Sequence, residues 1–510
     1  MRSPIIRLKA TGWIVDASVA VILALVAGLI RWSGMTRQSL WIDEMSSLGL
    51  AYEQLSTFFQ HVYTQAAHPP LYFLIVHIVH QQLGVDPIVA LRAPSVLAGA
   101  AAVSVIYLLG RLLVGRIAGI LAGLLVLVSP FAVWYSREGR MYSLLWLLVL
   151  SSFLLLVVSL RTRRRAWLVA YSACVGLALY TDYSAVMALV PQGLLVAYLF
   201  FRRPQDRSFL SWVAGAYLAG WLLFVPWLVV LPHQLATLRG QSFAAYPRNL
   251  TTVIHVLLDQ LNLRADYATM GALVSHAVMW AVAAAYLAAI VLTIRQWGTG
   301  WARLTLSLTL GAVIVWLVFL AAGSKAVLAP RVVGILAFGL ALLAGCALQV
   351  TWDYVRRAIP LITPLILAVG VLLVGSNSLA LANVEISGSN GARWPQVSDY
   401  IATHASKSDA VIYYPYGLKF VVDAYLPEQS PVRQTGVGSW AGPDEPIQRQ
   451  FELWATGHQR VFFVFSTAMG IDVPLHDLMF RQDGYQRVAG DPTASMGVLE
   501  YVPGQLLTSQ

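Results

Sequence analysis

Charged side chains are scarce in this chain of 510 residues. Asp, Glu, Lys and Arg together make up 11% of it, where a soluble globular protein carries about 25%. With 58% hydrophobic residues and a mean hydropathy of +0.68, too little polar side chain is present to coat a water-soluble fold of this length. That excludes a soluble enzyme and a disordered chain. Cysteine is nearly absent: Cys174 and Cys346 are the only two, each within a long apolar run, which excludes a disulfide framework and offers no metal-ligand spacing. Internal repeats and low-complexity tracts are also lacking. What is left is a multi-span membrane protein. The formal net charge of +10 then reads as loop arginines placed by membrane topology, and no nucleic-acid partner is expected.

A spanning helix needs about 20 apolar residues. Runs near that length occupy 13–31, 92–114, 117–135, 140–160, 167–181, 183–201, 209–231, 269–292, 303–322, 331–350 and 358–380, so eleven transmembrane helices are expected. Arg2, Arg7 and Lys9 precede the first run, which is long enough to span and has no small-residue cleavage pattern after it. It predicts a retained helix with its N-terminus in the cytoplasm. Every second loop is then basic: Arg111 and Arg116; Arg161, Arg163, Arg164 and Arg165; Arg202, Arg203 and Arg207; Arg295 and Arg303; Arg356 and Arg357. The stretch 71–83 is shorter and interrupted by His77 and His80. As a span it would turn every later arginine cluster outward, so it reads as a re-entrant or juxtamembrane helix within a large first outer loop, 32–91.

Composition shifts after residue 380. Residues 381–510 hold 13 acidic and 8 basic side chains, against 11 and 26 before them. A helix-like 394–404 and apolar stretches at 410–414, 460–465 and 497–502 predict a small soluble α/β domain there. Eleven spans from a cytoplasmic N-terminus place it outside the cytoplasm. The expected organisation is a transmembrane domain, 1–380, followed by an extracytoplasmic domain, 381–510.

Positive charge on the outer face runs against the topology bias. The exceptions are Arg37, Arg92, Arg137, Arg140, Arg239, Arg248, Arg264, Lys325 and Arg331, joined by Asp43, Glu44, Glu53, Glu138 and Asp182. Isolated arginines there suit lipid-headgroup anchoring, but ionisable groups converging at a membrane interface mark a functional site. Asp43 and Glu44 are adjacent just beyond the first span. One carboxylate suits general-base work on an attacking hydroxyl; the other suits orienting it or holding a cation. Acidic residues at a helix start also simply favour the helix dipole. His68 precedes Pro69-Pro70, which suit a helix's first turn, and is placed to bond a phosphate or a sugar hydroxyl. His77 and His80 share a helix face, yet no third ligand accompanies them and no metal site is expected there. Residues 135–142 link the third and fourth spans, where Arg137 and Arg140 at a helix N-terminus suit a phosphate and Glu138 suits an ion pair closing the hairpin. Arg331, with Lys325 nearby, puts cations at the positive end of the tenth span, favourable when an anion binds. Asp182 stands between the fifth and sixth spans. The long polar segment 232–269 suits a flexible lid over a site.

Five motifs in order carry a resemblance. They are Asp43-Glu44 after the first span, His68-Pro69-Pro70-Leu71-Tyr72, Leu91-Arg92-Ala93-Pro94-Ser95, Ser136-Arg137-Glu138-Gly139-Arg140-Met141-Tyr142, and Pro330-Arg331 before a late span. Over roughly residues 35–350 the chain resembles the bacterial protein mannosyltransferase-like family (glycosyltransferase family 39, PMT-like), membrane glycosyltransferases of the C type, or GT-C. These are related to dolichyl-phosphate-mannose protein mannosyltransferases and to the aminoarabinose transferase of lipid A.

The resemblance implies a GT-C membrane fold and an inverting transfer of a sugar from a polyprenyl-phosphate donor to a hydroxyl acceptor on protein, lipid or polysaccharide. Asp43 is then the catalytic base and Glu44 its neighbour. His68 supports the first loop, and Arg137, Glu138 and Arg140 line the cavity. Lys325 and Arg331 are candidates for the donor phosphate. Asp182 replaces the histidine of the Tyr-Thr-His-Tyr found in many relatives. A divalent cation held by Asp43 and Glu44 and chemistry without one are both compatible with this set; no other cofactor is implied. The rival reading, a transporter or flippase of a lipid-linked saccharide, usually brings repeated halves, which the sequence lacks.

Overall fold

The structure, a computed structural model, describes residues 10–36, 38–64, 68–240, 249–260, 272–323, 328–387, 394–414, 418–427, 430, 455–466, 473–482, 484–494 and 496–503. The chain forms two compact units. The first comprises Met1–Met35, Gln54–Ile75 and Arg92–Gly388; the second comprises Thr36–Glu53, Val76–Leu91 and Ser389–Gln510. The first outer loop is thus divided, with 36–53 and 76–91 grouped with the C-terminal residues.

The helices, in chain order, are α1 (Ala10–Ser33), α2 (Ile42–Tyr52), α3 (Leu55–Thr64), α4 (Leu71–His77), α5 (Pro87–Leu113), α6 (Arg116–Leu127), α7 (Pro130–Arg137), α8 (Tyr142–Thr162), α9 (Ala166–Thr181), α10 (Val186–Arg202), α11 (Arg207–Phe224), α12 (Leu231–Gly240), α13 (Leu250–Gln260), α14 (Ala272–Arg295), α15 (Gly300–Leu306), α16 (Ala312–Ala321), α17 (Ile335–Ala358), α18 (Thr363–Ser387), α19 (Trp394–His404), α20 (Leu418–Tyr425) and α21 (Val473–Gln482). The chain is a multi-pass membrane protein: among the described residues nine helices are long and apolar enough to cross a bilayer. The expected count of eleven is not reproduced as eleven uninterrupted spans. The run 117–135 is the pair α6 and α7, bent by 57°, and the run 167–181 is α9, shorter than a full span. The break has a local cause. Ser129 accepts the Ala132 N–H as an N-cap, and Pro130, with no N–H to donate, takes the first position of a new helix. The segment 71–83 is α4 continued by a π turn over Ile78–Gln82, too short to cross.

In the first unit, α17 packs along α6. Gly345 lies so near the α6 backbone that a Cβ on it would sit 2.5 Å from the Ala118 carbonyl oxygen, the close approach that small residues permit between membrane helices. Two charges inside the first run, Asp16 and Arg31, had no place in the sequence reading. Asp16 on α1 is buried, and it accepts from Arg116 at 2.7 Å and Arg111 at 2.9 Å, with Tyr107 also donating. A buried carboxylate is tolerable when paired and hydrogen-bonded in this way. The predicted lid segment carries two helices, α12 and α13, while its residues 241–248 and 261–269 lie outside the described ones.

In the second unit, β1 (Ala410–Tyr414), β2 (Val461–Ser466), β3 (Tyr485–Ala489) and β4 (Met496–Pro503) form one sheet in the order β1-β2-β4-β3. β1 and β2 are parallel, with Ala410 opposite Val461; the other pairs are antiparallel. Both faces of β2 are buried, as its unbroken Val-Phe-Phe-Val-Phe requires. Val461, Phe463 and Phe465 pack with Phe480 of α21 on one face. On the other, Phe462 meets Tyr400 of α19.

Candidate functional site

The His-Pro-Pro motif places His68 immediately before α4. Its Nδ1 lies 2.8 Å from Asp182 Oδ2. Asp182 stands at the turn after α9, is buried, and caps the following 3-10 turn by accepting the Ser184 N–H at 2.7 Å. Burial pushes this carboxyl up, but the His68 contact and the Ser184 hydrogen bonds outweigh it and hold it below the usual carboxylate range. The pairing gives position 182 a role in this chain: the Asp182 carboxylate orients the His68 ring. Gln234 of α12 closes the arrangement from behind. Its Nε2 donates to the carbonyls of Val62 and His68 at 2.9 and 3.3 Å, its Oε1 meets the Tyr183 hydroxyl, and Tyr183 accepts from the Trp227 indole at 3.1 Å.

Three sequence motifs meet in one hydrogen-bond chain. The Ser95 hydroxyl donates to the Arg140 carbonyl at 2.7 Å; with its proton used there, Tyr72 donates to Ser95, also at 2.7 Å. This fixes the start of α4, the middle of α5 and the turn after α7 against one another. The Arg140 guanidinium lies 5.9 Å from the Phe73 ring centre and is buried. Glu138, in extended conformation after α7, accepts the Trp134 indole N–H at 2.7 Å.

Arginines also gather at the C-terminal end of α1. Arg137 does not open the next span, as its motif suggested. It ends α7, and its guanidinium donates to the carbonyls of Ile30 at 2.6 Å and Arg31 at 3.2 Å. Arg92 donates to Met35 O at 2.7 Å. Arg31, to which the sequence analysis assigned no role, is fully buried. It donates to Ser136 Oγ at 3.2 Å and to the Val126 and Leu127 carbonyls that end α6. A glycine is needed here: any side chain at Gly34 would run into the Arg137 guanidinium. Arg31, Arg92, Arg137 and Arg140 are all buried, and cationic groups brought together attract anions.

Arg331 lies in the 3-10 turn Pro330–Val333 ahead of α17, half-buried, with its guanidinium 5.7 Å from the Tyr142 ring centre. Gln260 Nε2 holds the Pro330 carbonyl at 3.1 Å. Lys325, Arg37, Arg248 and Arg264 lie outside the described residues. His80 Nδ1 contacts Val85 O, and among the described residues no three His, Cys, Asp or Glu side chains come together as metal ligands.

Asp43 and Glu44 belong to the second unit, in the first turn of α2. The two neighbours are differently placed. Glu44 is fully buried and its Oε2 accepts the Trp41 N–H at 3.2 Å, closing the helix start onto itself. Asp43 is half-buried.

Residues 67–231 match the family model of dolichyl-phosphate-mannose-protein mannosyltransferases, a range that contains His68, Arg92, Arg137, Glu138, Arg140 and Asp182. The chain's fold is similar to that of ArnT from Cupriavidus metallidurans. The apo structure matches at 15% identity with a TM-score of 0.62, over 98% of this chain and 99% of that one. The structure bound to undecaprenyl phosphate matches at 15% identity with a TM-score of 0.59, over 97% and 98%. The oligosaccharyltransferase AglB from Archaeoglobus fulgidus, in complex with an inhibitory peptide and a dolichol-phosphate, matches at 13% identity with a TM-score of 0.55, over 98% and 75%. No curated protein matches the chain in sequence. The chain thus shares its fold with these membrane proteins and carries a small C-terminal sheet domain.

Proposed function

We propose that this chain, sharing the GT-C fold with ArnT and AglB, is an integral-membrane glycosyltransferase that moves a sugar from a polyprenyl-phosphate donor to an acceptor hydroxyl, with inversion, on the outer face of the plasma or inner membrane. The observation that supports it most is the meeting of the motifs 68–72, 91–95 and 136–142 in one hydrogen-bond chain within the family-matched range. A flippase would not require that match to a transferase family.

In this reading Asp43 takes the proton of the acceptor hydroxyl as its oxygen attacks the anomeric carbon. The bond from that carbon to the phosphate oxygen breaks on the opposite face, and its electron pair leaves with the polyprenyl phosphate. Cationic groups neutralise the departing charge, so no acid is needed on that side: Arg140 and Arg331, with His68, Lys325 and Arg137 as further candidates. Glu44, engaged with the Trp41 N–H, acts by fixing the turn that carries Asp43. A divalent cation at Asp43 and Glu44 would add charge stabilisation; no step above depends on one. The acceptor is a protein, lipid or polysaccharide hydroxyl.

The test is transfer from a polyprenyl-phosphate sugar by the purified protein, alongside binding of undecaprenyl phosphate. Asp43→Asn is expected to lower turnover at least ~100-fold with lipid-phosphate binding intact, and Arg331→Ala to weaken that binding ~10-fold. Full turnover by Asp43→Asn removes the base; unchanged affinity in Arg331→Ala removes that arginine from the donor site.

A further inference from the structure

The helix that carries Asp43 is built into the same compact unit as the C-terminal sheet domain, and the contacts between them lie at both ends of α2. Ahead of the helix, the Leu40 N–H donates to the Tyr425 hydroxyl at 3.0 Å. Ser39 Oγ accepts the Trp394 N–H at 3.3 Å. Toward its other end, Gly49 lies against the Phe420 ring, which a Cβ there would meet at 3.3 Å. Tyr52 stacks on the same ring at 5.8 Å between centres, 17° between planes. Leu40 and Leu48 are fully buried. Phe420 and Tyr425 both project from α20, whose remaining face, Leu418, Val421 and Val422, is buried; Ser398 of α19 donates to the Val422 carbonyl, tying α20 to α19.

We infer that α20 is the mount for the catalytic carboxylate, with Tyr425 and Phe420 acting as positioning residues for Asp43; this rests on the reading of Asp43 as the base. The physical case is one of geometry. A general base works only within hydrogen-bond reach of its proton, and a displacement of ~1 Å from a distant change costs on the order of 100-fold in rate. An eleven-residue helix is too short to hold its own conformation in water, so α2 takes its place from what it packs on. The hydrogen bond to the Leu40 backbone fixes the start of the helix, and with it the direction of its first turn, while the Phe420 ring stacked on Tyr52 helps to fix the other end. Within the family-matched range 67–231, Gln81 donates to the Ala51 carbonyl at 3.1 Å and His80 meets Tyr52 edge-on, so that range helps to hold the far end of α2, while the contacts ahead of its first turn come from Tyr425 and Trp394. The C-terminal domain is therefore part of the catalytic apparatus.

The experiment compares Tyr425→Phe and Phe420→Leu with Phe480→Leu in the full-length protein. Phe480 sits in the core on the opposite face of the sheet from α19, so its variant reports what loosening the domain does by itself. Each is assayed for kcat and KM with a polyprenyl-phosphate sugar, for undecaprenyl-phosphate affinity, and for melting. Tyr425→Phe and Phe420→Leu are expected to lower kcat ~10-fold or more with donor KM and lipid-phosphate affinity within about two-fold. Phe480→Leu, destabilised at least as much, keeps its kcat below its melting range. Normal kcat in Tyr425→Phe, or an equal loss in Phe480→Leu, overturns the positioning role while leaving the base assignment standing. Full turnover by Asp43→Asn overturns the base assignment and this inference together.

Discussion

At the scale of single residues, position 182 shows how a departure from a family's pattern can be read in physical terms. A carboxylate there serves His68, and the pair is held by Ser184 on one side and Gln234 on the other. Asp182→Asn removes the charge facing the ring and is expected to cost ~1–2 kcal/mol of stability at neutral pH. The sign with pH follows from the direction of the shift. A carboxyl held below its unfolded value near ~3.9 contributes stability that is fully present above that value and is lost as pH falls through the folded one. Denaturation followed from pH 6 to pH 2 should show a drop below about pH 4 that is smaller in Asp182→Asn. An equal drop in both proteins removes Asp182 as its source. In the sequence, His68 and Asp182 were visible as separate candidates and their pairing was not, because 114 residues separate them. Gln234 gave no signal at all: one amide on a short polar helix has no spacing to betray it.

At the scale of elements, apolar periodicity and caps were legible. Trp394–His404 and Ala410–Tyr414 fold with the boundaries their patterns predict, since local propensity and burial there agree. The bend at Ser129-Pro130 was written in the chain as an N-cap followed by a proline, yet an apolar run of spanning length masked it. Close helix packing is another element-level property. Gly345→Ala puts a methyl group against the α6 backbone and is expected to destabilise by ~1–3 kcal/mol. The same substitution at Gly375 in α18, where the Cβ meets open space, is expected to be neutral or stabilising by up to ~1 kcal/mol. Melting of the two variants in detergent checks the contrast; equal effects would show that the α6–α17 approach is looser than it stands. Arg31 belongs here too, since its side chain occupies the carbonyls left open where α6 stops.

At the scale of the whole molecule, the arginine-rich loops predict an orientation that labelling can test. Arg163 and Arg165 cover Phe209 and Trp212 at 5.0 and 4.2 Å, the aromatic and cationic mixture of a membrane interface. With the two native cysteines removed, an impermeant maleimide is expected to label Lys407→Cys in intact cells and Thr162→Cys only after the membrane is opened. The opposite pattern would invert the topology and place the C-terminal domain in the cytoplasm.

The sequence by itself determined that this chain enters a membrane, which segments are apolar enough to cross, and which residues have the chemistry for phosphate and hydroxyl groups. Composition and period are local quantities, so they survive without a fold. Only the tertiary structure decided which of those residues meet. It joined Tyr72, Ser95 and Arg140, paired His68 with Asp182, turned Arg137 toward the end of α1, and buried Glu44 while leaving Asp43 half-exposed. It also gave α2 to the C-terminal domain. Hydrogen bonds and ring contacts form between groups a few ångströms apart in space, and chain separations such as the 385 residues between Leu40 and Tyr425 leave no trace of that in one sequence.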